Sequence, residues 1–156
     1  MSLILAETFR FENPEYTVGE NCGVLRVNII RSGLAGEGTT LRISTSDTGA
    51  TFPQDFSPSD AIVTFRGEQE VESVTFDIVG DSAVEGSETF SLTLSKLSGS
   101  GTIEQPGNVA VVTIQDQIGT FSFESDQMDT TESIGTLRIP ISRSIDSCAT
   151  ATTIRE

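Results

Sequence analysis

The residues of this sequence that could do chemistry are carboxylates grouped in four loops. They are Glu20, the stretch Asp47-Thr-Gly-Ala-Thr-Phe-Pro-Gln-Asp55, the stretch Asp81-Ser-Ala-Val-Glu85-Gly-Ser-Glu88, and Asp116. Acids brought together from separate loops repel one another unless a cation neutralises them. Ca²⁺ suits such a set, because it is a hard ion that takes about six to eight oxygen ligands in loose geometry. No EF-hand loop occurs, so a site of this kind draws on distant parts of the chain. Taken singly, each acid is more simply a solvated or turn-forming residue, and Asp47 and Asp81 in particular read as turn residues.

Other chemistry is poorly supplied. The chain has no His, which removes Ser–His and Cys–His nucleophile pairs. Paired carboxylates alone could hydrolyse glycosides, but one Tyr and no Trp leave a sugar cleft without aromatic walls. The reading is therefore of a protein that is not an enzyme. With 23 acidic and 9 basic residues and a net charge of −14, it is not expected to bind nucleic acid or an anionic membrane surface. The same acidity also serves solubility. No apolar run is long enough to span a bilayer, so direct membrane insertion by this segment is not expected. Residues 1–7 read as a leader or cloning remnant, because MSLILA is too short for a signal-peptide core.

The elements that must position the acids are strands. Nine Phe, with abundant Val, Ile and Thr, favour β-structure, and 14 Gly suit many turns. Phe9 and Phe11, then Tyr16 and Val18, alternate with polar neighbours around the Asn13-Pro14 break, as a first strand split by a kink or bulge. Further strands follow at Val24 to Arg31, Leu41 to Thr45, Ile62 to Phe65, Val74 to Ile78, Phe90 to Leu94 and Val109 to Ile114. Seven short strands separated by turns predict an all-β, immunoglobulin-like sandwich. In a sandwich, alternate strand ends lie at one pole, which brings the four acidic loops together.

The sequence also repeats. Phe9 to Ser32 aligns without a gap on Phe121 to Ser144, an offset of 112 residues. Phe9, Phe11, Glu12, Glu20, Gly23, Leu25, Arg26, Ile29, Arg31 and Ser32 recur as Phe121, Phe123, Glu124, Glu132, Gly135, Leu137, Arg138, Ile141, Arg143 and Ser144. The domains expected are one full repeat over residues 8–118 and the opening strands of a second over 119–156. Such a fragment cannot bury a two-sheet core alone, and Leu137 to Ile141 would present an unpaired edge. Cys22 and Cys148 fall in different repeats, and each reads as a small packing residue rather than one half of an obvious disulfide.

The first repeat resembles the Calx-beta family along its length. FENPEYTVGENCG, LRVNIIRSG, SDTGATFPQDF, VTFRGEQEVESVTFDIVGD, AVEGSETFSLTL and VVTIQD occur in order at family-like spacing, and the second repeat matches the family's opening. The resemblance implies a seven-stranded sandwich with Ca²⁺ at one pole. Its implied ligands are Glu20, Asp55, Asp81, Glu85, Glu88 and Asp116. Asp47 matches no ligand position. The strongest binders of the family carry acidic runs where this chain has Gly80 and Gln117. One or two ions are therefore expected, with affinity of order 10⁻⁵ to 10⁻³ M. Glu132 is the counterpart of Glu20 in a repeat that lacks its other ligand loops.

The function this implies is a calcium-binding repeat of a multi-repeat adhesion, matrix or membrane protein, stiffened by Ca²⁺ at the junction between repeats. Its partners would be calcium ions, neighbouring Calx-beta repeats and another adhesion protein. Its location would be the extracellular part of a membrane or matrix protein. The alternatives are a cytosolic calcium-sensing loop of a Na⁺/Ca²⁺ exchanger-like transporter, and a metal-free structural spacer.

Overall fold

The computed structural model describes residues 6–81, 83, 85–116, 119–131, 133, 135–144 and 148. Among these there is no α-helix. The strands in chain order are β1 (Thr8–Phe11), β2 (Glu15–Gly19), β3 (Val24–Ser32), β4 (Thr39–Asp47), β5 (Phe56–Ser57), β6 (Asp60–Phe65), β7 (Val71–Ile78), β8 (Glu88–Ser98), β9 (Thr102–Ile103), β10 (Val109–Gln115), β11 (Thr120–Phe123) and β12 (Ile141–Ser144). A 3-10 turn, Glu20–Cys22, joins β2 to β3.

The chain forms two compact units. One comprises Met1–Asp116 with Cys148–Glu156, and the other is Gln117–Ser147. The first is a sandwich of two sheets with strand orders β5-β7-β3-β1-β9 and β2-β10-β8-β4-β6. The seven anticipated strands are all present, joined by the two-residue β5 and β9. The split first strand does more than kink, because its halves belong to different sheets. β1 pairs antiparallel with β3, whereas β2 pairs parallel with β10. The crossover lies at Asn13-Pro14. Glu12 N–H still bonds Asn28 O on the first sheet, and Pro14 O already accepts Val111 N–H from the second. Pro14 has no N–H to lose at the change of partner.

The period of two places the core. Phe9, Phe11, Leu25, Val27, Ile29, Phe76 and Ile78 from one sheet are buried with Val18, Leu41, Ile43, Phe65, Phe90, Leu92, Val112 and Ile114 from the other. Each such side chain contributes roughly 1.5–3 kcal/mol by leaving water. Glu7, which the sequence reading leaves in the leader, is also buried, and its carboxylate pairs with Arg31 at 3.5 Å.

The second unit is a hairpin in which Phe121 faces Arg143 and Phe123 faces Ile141. The first repeat pairs Phe9 with Arg31 and Phe11 with Ile29, so the register repeats at the same 112-residue offset. Phe9 and Phe11 are buried, whereas Phe121 and Phe123 are 71% and 67% exposed. The strand expected at Leu137 to Ile141 pairs only from Ile141 onward. Glu132, Gln117 and Ile118 lie outside the described residues.

One expectation is overturned. Cys22 and Cys148 are not separate packing residues but a disulfide, with Cα atoms 5.3 Å apart across 126 residues of sequence. Past β12 the chain returns to the first unit at Cys148. The 112-residue periodicity carries no trace of that return.

Candidate metal centre

One pole of the sandwich is acidic because of how its strands end. β2 runs into the 3-10 turn that carries Glu20, whose side chain is buried. β7 ends at Ile78 and leads into the loop with Asp81 and Glu85, and β8 opens on Glu88. β10 ends just before Asp116, and Asp55 immediately precedes β5. A small cleft here is lined by Glu20, Asp55, Val79, Glu85, Gly86, Glu88, Ile114 and Asp116, none of them basic.

The structure brings Asp55, Glu85 and Glu88 closest, with one carboxylate oxygen from each within 4.8 Å of the others. Glu20 and Asp116 line the same cleft. Asp81 does not line it. Its Oδ1 accepts Ala83 N–H at 2.6 Å, a turn bond, while its backbone N–H donates to Glu20 Oε1 at 2.9 Å. Asp47 also stays out of the cleft and accepts Phe52 N–H at 3.4 Å.

Backbone donors also hold the Asp116 and Asp55 carboxylates. Glu85 N–H donates to Asp116 Oδ2 at 2.9 Å. Thr51 donates its N–H and its hydroxyl to Asp55 Oδ2, at 2.6 and 3.1 Å. Asp55 N–H bonds Thr51 O, and Asp55 O accepts Val79 N–H. Sequence reasoning missed Thr51, whose contact with Asp55 is made by the path of the loop. Gly80 occupies tight space. A Cβ there would sit 2.9 Å from Asn21 Oδ1 and 3.1 Å from Glu20 O. A side chain at position 80 would require the Asn21 amide to move and the Glu20 carbonyl to give by a few tenths of an ångström.

The cluster strains its own ionisation. The Glu85 carboxyl is raised above the usual 4.5, chiefly by the charge of Asp81, then by desolvation and by Asp55, Glu20 and Asp116. Glu88 is raised chiefly by desolvation, then by the charges of Asp55, Glu85 and Glu20. A carboxyl raised by folding binds its proton more tightly in the folded chain. Stability without metal therefore falls as pH rises from the ordinary carboxylate value through the raised one. In chelator, a Glu85→Gln/Glu88→Gln chain should be more stable than wild type at pH 7, and the advantage should fade below pH 4.5. Urea titrations at the two pH values check this, and equal stabilities at pH 7 would contradict it.

The donor set fits a hard divalent cation. It consists of carboxylates alone, it has no internal counter-ion among its lining residues, and Glu20, Asp55 and Asp116 are each held by a backbone N–H on one oxygen.

A family model described as Calx-beta domain matches residues 6–118 and 115–155. The chain is 26% identical over 134 residues to the sodium/calcium exchanger Calx of Drosophila melanogaster, covering 85% of this chain and 14% of that protein. It is 31% identical over 156 residues to the mouse (Mus musculus) extracellular matrix organizing protein FRAS1, covering 90% of this chain and 4% of that protein. The chain thus spans a small fraction of these relatives. Among solved structures, the apo-form Calx CBD1 domain aligns with a TM-score of 0.66 at 26% identity, over 73% of this chain and all of that one. The calcium binding domain CBD12 of CALX1.1 aligns at 0.65 and 27% identity, over 81% of this chain and 53% of that one.

Proposed function

Since the chain belongs to the Calx-beta domain family, we propose that its first repeat binds Ca²⁺ at the acidic pole, as one repeat of an extracellular adhesion or matrix protein. The observation that carries this reading is the convergence of Asp55, Glu85 and Glu88, with oxygens within 4.8 Å, in a cleft that Glu20 and Asp116 also line. Asp55, Glu85 and Glu88 would be direct ligands, with Glu20 and Asp116 completing the set. Asp81 would act through its charge and its bond to Glu20. Bound calcium would offset the mutual repulsion of the carboxylates and cross-link loops from both sheets. The thinned acidity at Gly80 and Gln117 suits one or two ions held at about 10⁻⁵ to 10⁻³ M.

The extracellular placement draws support from the Cys22–Cys148 disulfide, since such bonds persist in oxidising compartments. The matrix relative is consistent with it. Cytosolic sensing by an exchanger-like protein is a second reading, favoured by the exchanger relatives at 26–27% identity. A midpoint below about a micromolar would favour it.

Melting of the chain in millimolar calcium and in chelator tests the proposal. Calcium should raise the melting temperature, and Glu85→Gln with Glu88→Gln should abolish the rise while leaving the chain folded. A rise that survives this pair of substitutions places the ion elsewhere. No rise in either chain favours a metal-free spacer.

A further inference from the structure

The disulfide lies two residues from Glu20. The turn Glu20–Cys22 is a single 3-10 turn of three residues, with no side-chain cap at its start. Glu20 and Cys22 therefore share one turn of backbone, and a shift of Cys22 moves Glu20. Two hydrogen bonds tie the turn to its surroundings. Asp81 N–H reaches Glu20 Oε1 at 2.9 Å, and Ile78 N–H bonds the O of Gly23, which follows at φ 77° where a Cβ would be strained. Cys22 packs half-buried against the core, and its sulfur is bonded to Cys148. The chain leaves this compact unit after Asp116, which lines the cleft, and re-enters it at Cys148.

We infer that the Cys22–Cys148 bridge is a positioning element of the cation site. It anchors the Glu20–Cys22 turn so that the Glu20 carboxylate meets the cleft, and the disulfide form binds Ca²⁺ more tightly than the dithiol form. This rests on the calcium reading above. The redox step is a two-electron exchange with a small dithiol. A reagent thiolate attacks one sulfur and releases the other as a thiolate. The second reagent thiol then closes the reagent's own disulfide, and the two protein thiolates take up the reagent's protons.

Freeing an orienting partner of a metal ligand typically weakens binding by about tenfold or more. Linkage requires the converse, that calcium stabilises the disulfide by the same factor. A tenfold effect corresponds to a midpoint about 30 mV more reducing in saturating calcium.

The experiment is a calorimetric calcium titration of the oxidised chain, of the chain held reduced in dithiol, and of Cys22→Ser. It is paired with a redox titration of the wild type with and without calcium, which needs no variant to fold. The same redox comparison on Glu20→Gln reports whether the effect passes through Glu20. The inference expects about tenfold weaker binding in the reduced chain and in Cys22→Ser, the matching shift in midpoint, and loss of that shift in Glu20→Gln. Equal affinity in both redox states, or a shift that persists in Glu20→Gln, overturns the inference and leaves calcium binding standing. Absence of binding in the oxidised chain overturns both.

Discussion

Glu7→Ala should destabilise the first repeat by about 3–5 kcal/mol, the usual cost of stranding a buried charge. Glu7 Oε1 lies 3.5 Å from Arg31 Nη1, and both side chains are under 5% exposed. Ser100 Oγ donates to Glu7 Oε2 at 2.7 Å, Arg31 Nη2 donates to Gly67 O at 2.7 Å, and the guanidinium sits 5.7 Å from the Phe65 ring centre. Alanine at position 7 removes the counter-charge and leaves the guanidinium in a site closed to water. Converting Arg31 to Met as well should recover much of the loss, because an apolar pair has no charge to desolvate. Arg31 stands at the far end of β3 from the acidic pole, so the calcium-induced rise in melting temperature should survive in Glu7→Ala. Urea denaturation with and without calcium measures both effects. A loss under about 1 kcal/mol would mean that the pair is solvated.

Phe56→Ala should cost a similar amount and should also weaken the metal site. The Phe56 ring is fully buried and stacks on Phe90 with centroids 3.9 Å apart at 10°, and Phe90 meets Phe76 edge-on at 6.1 Å. Removing the ring opens a cavity in the core, worth about 3–5 kcal/mol for Phe→Ala. Asp55 is the preceding residue, and its carbonyl accepts Val79 N–H just past the pairing of Phe56 with Ile78. The ring is thus the anchor of the loop that presents the Asp55 carboxylate. Phe56→Ala should raise the calcium midpoint as well as lower stability, whereas Phe56→Leu should lose much less of either. A calcium midpoint unchanged in a destabilised Phe56→Ala chain would show that the loop is held without the core.

The sandwich was legible wherever burial imposes a period of two. Leu25, Val27 and Ile29, or Phe90, Leu92 and Leu94, could not alternate as they do in any other half-buried element. The structure carries the repeat into its register, since Phe121 opposite Arg143 restates Phe9 opposite Arg31. The change of sheet between β1 and β2 was not legible. Asn13-Pro14 announces a break in pairing but carries no information about the next partner. The Glu7–Arg31 pair and the Cys22–Cys148 bond were hidden for a related reason, because each joins residues whose meeting depends on the path of the chain and not on local pattern. At the candidate site, strand counting anticipated the acidic pole. It could not tell that Asp55, Glu85 and Glu88 converge most closely, whereas residue type already marked Asp81 as a turn former, and its side chain closes a turn with Ala83 N–H. Those choices are made by single backbone hydrogen bonds within loops.

Direct calorimetric titration of the oxidised chain with calcium tests the central claim most plainly. The account predicts saturable binding of one or two ions with a dissociation constant of about 10⁻⁵ to 10⁻³ M, abolished by Glu85→Gln with Glu88→Gln. Absence of saturable binding well into the millimolar range, in a chain shown to be folded and disulfide-bonded, would contradict it.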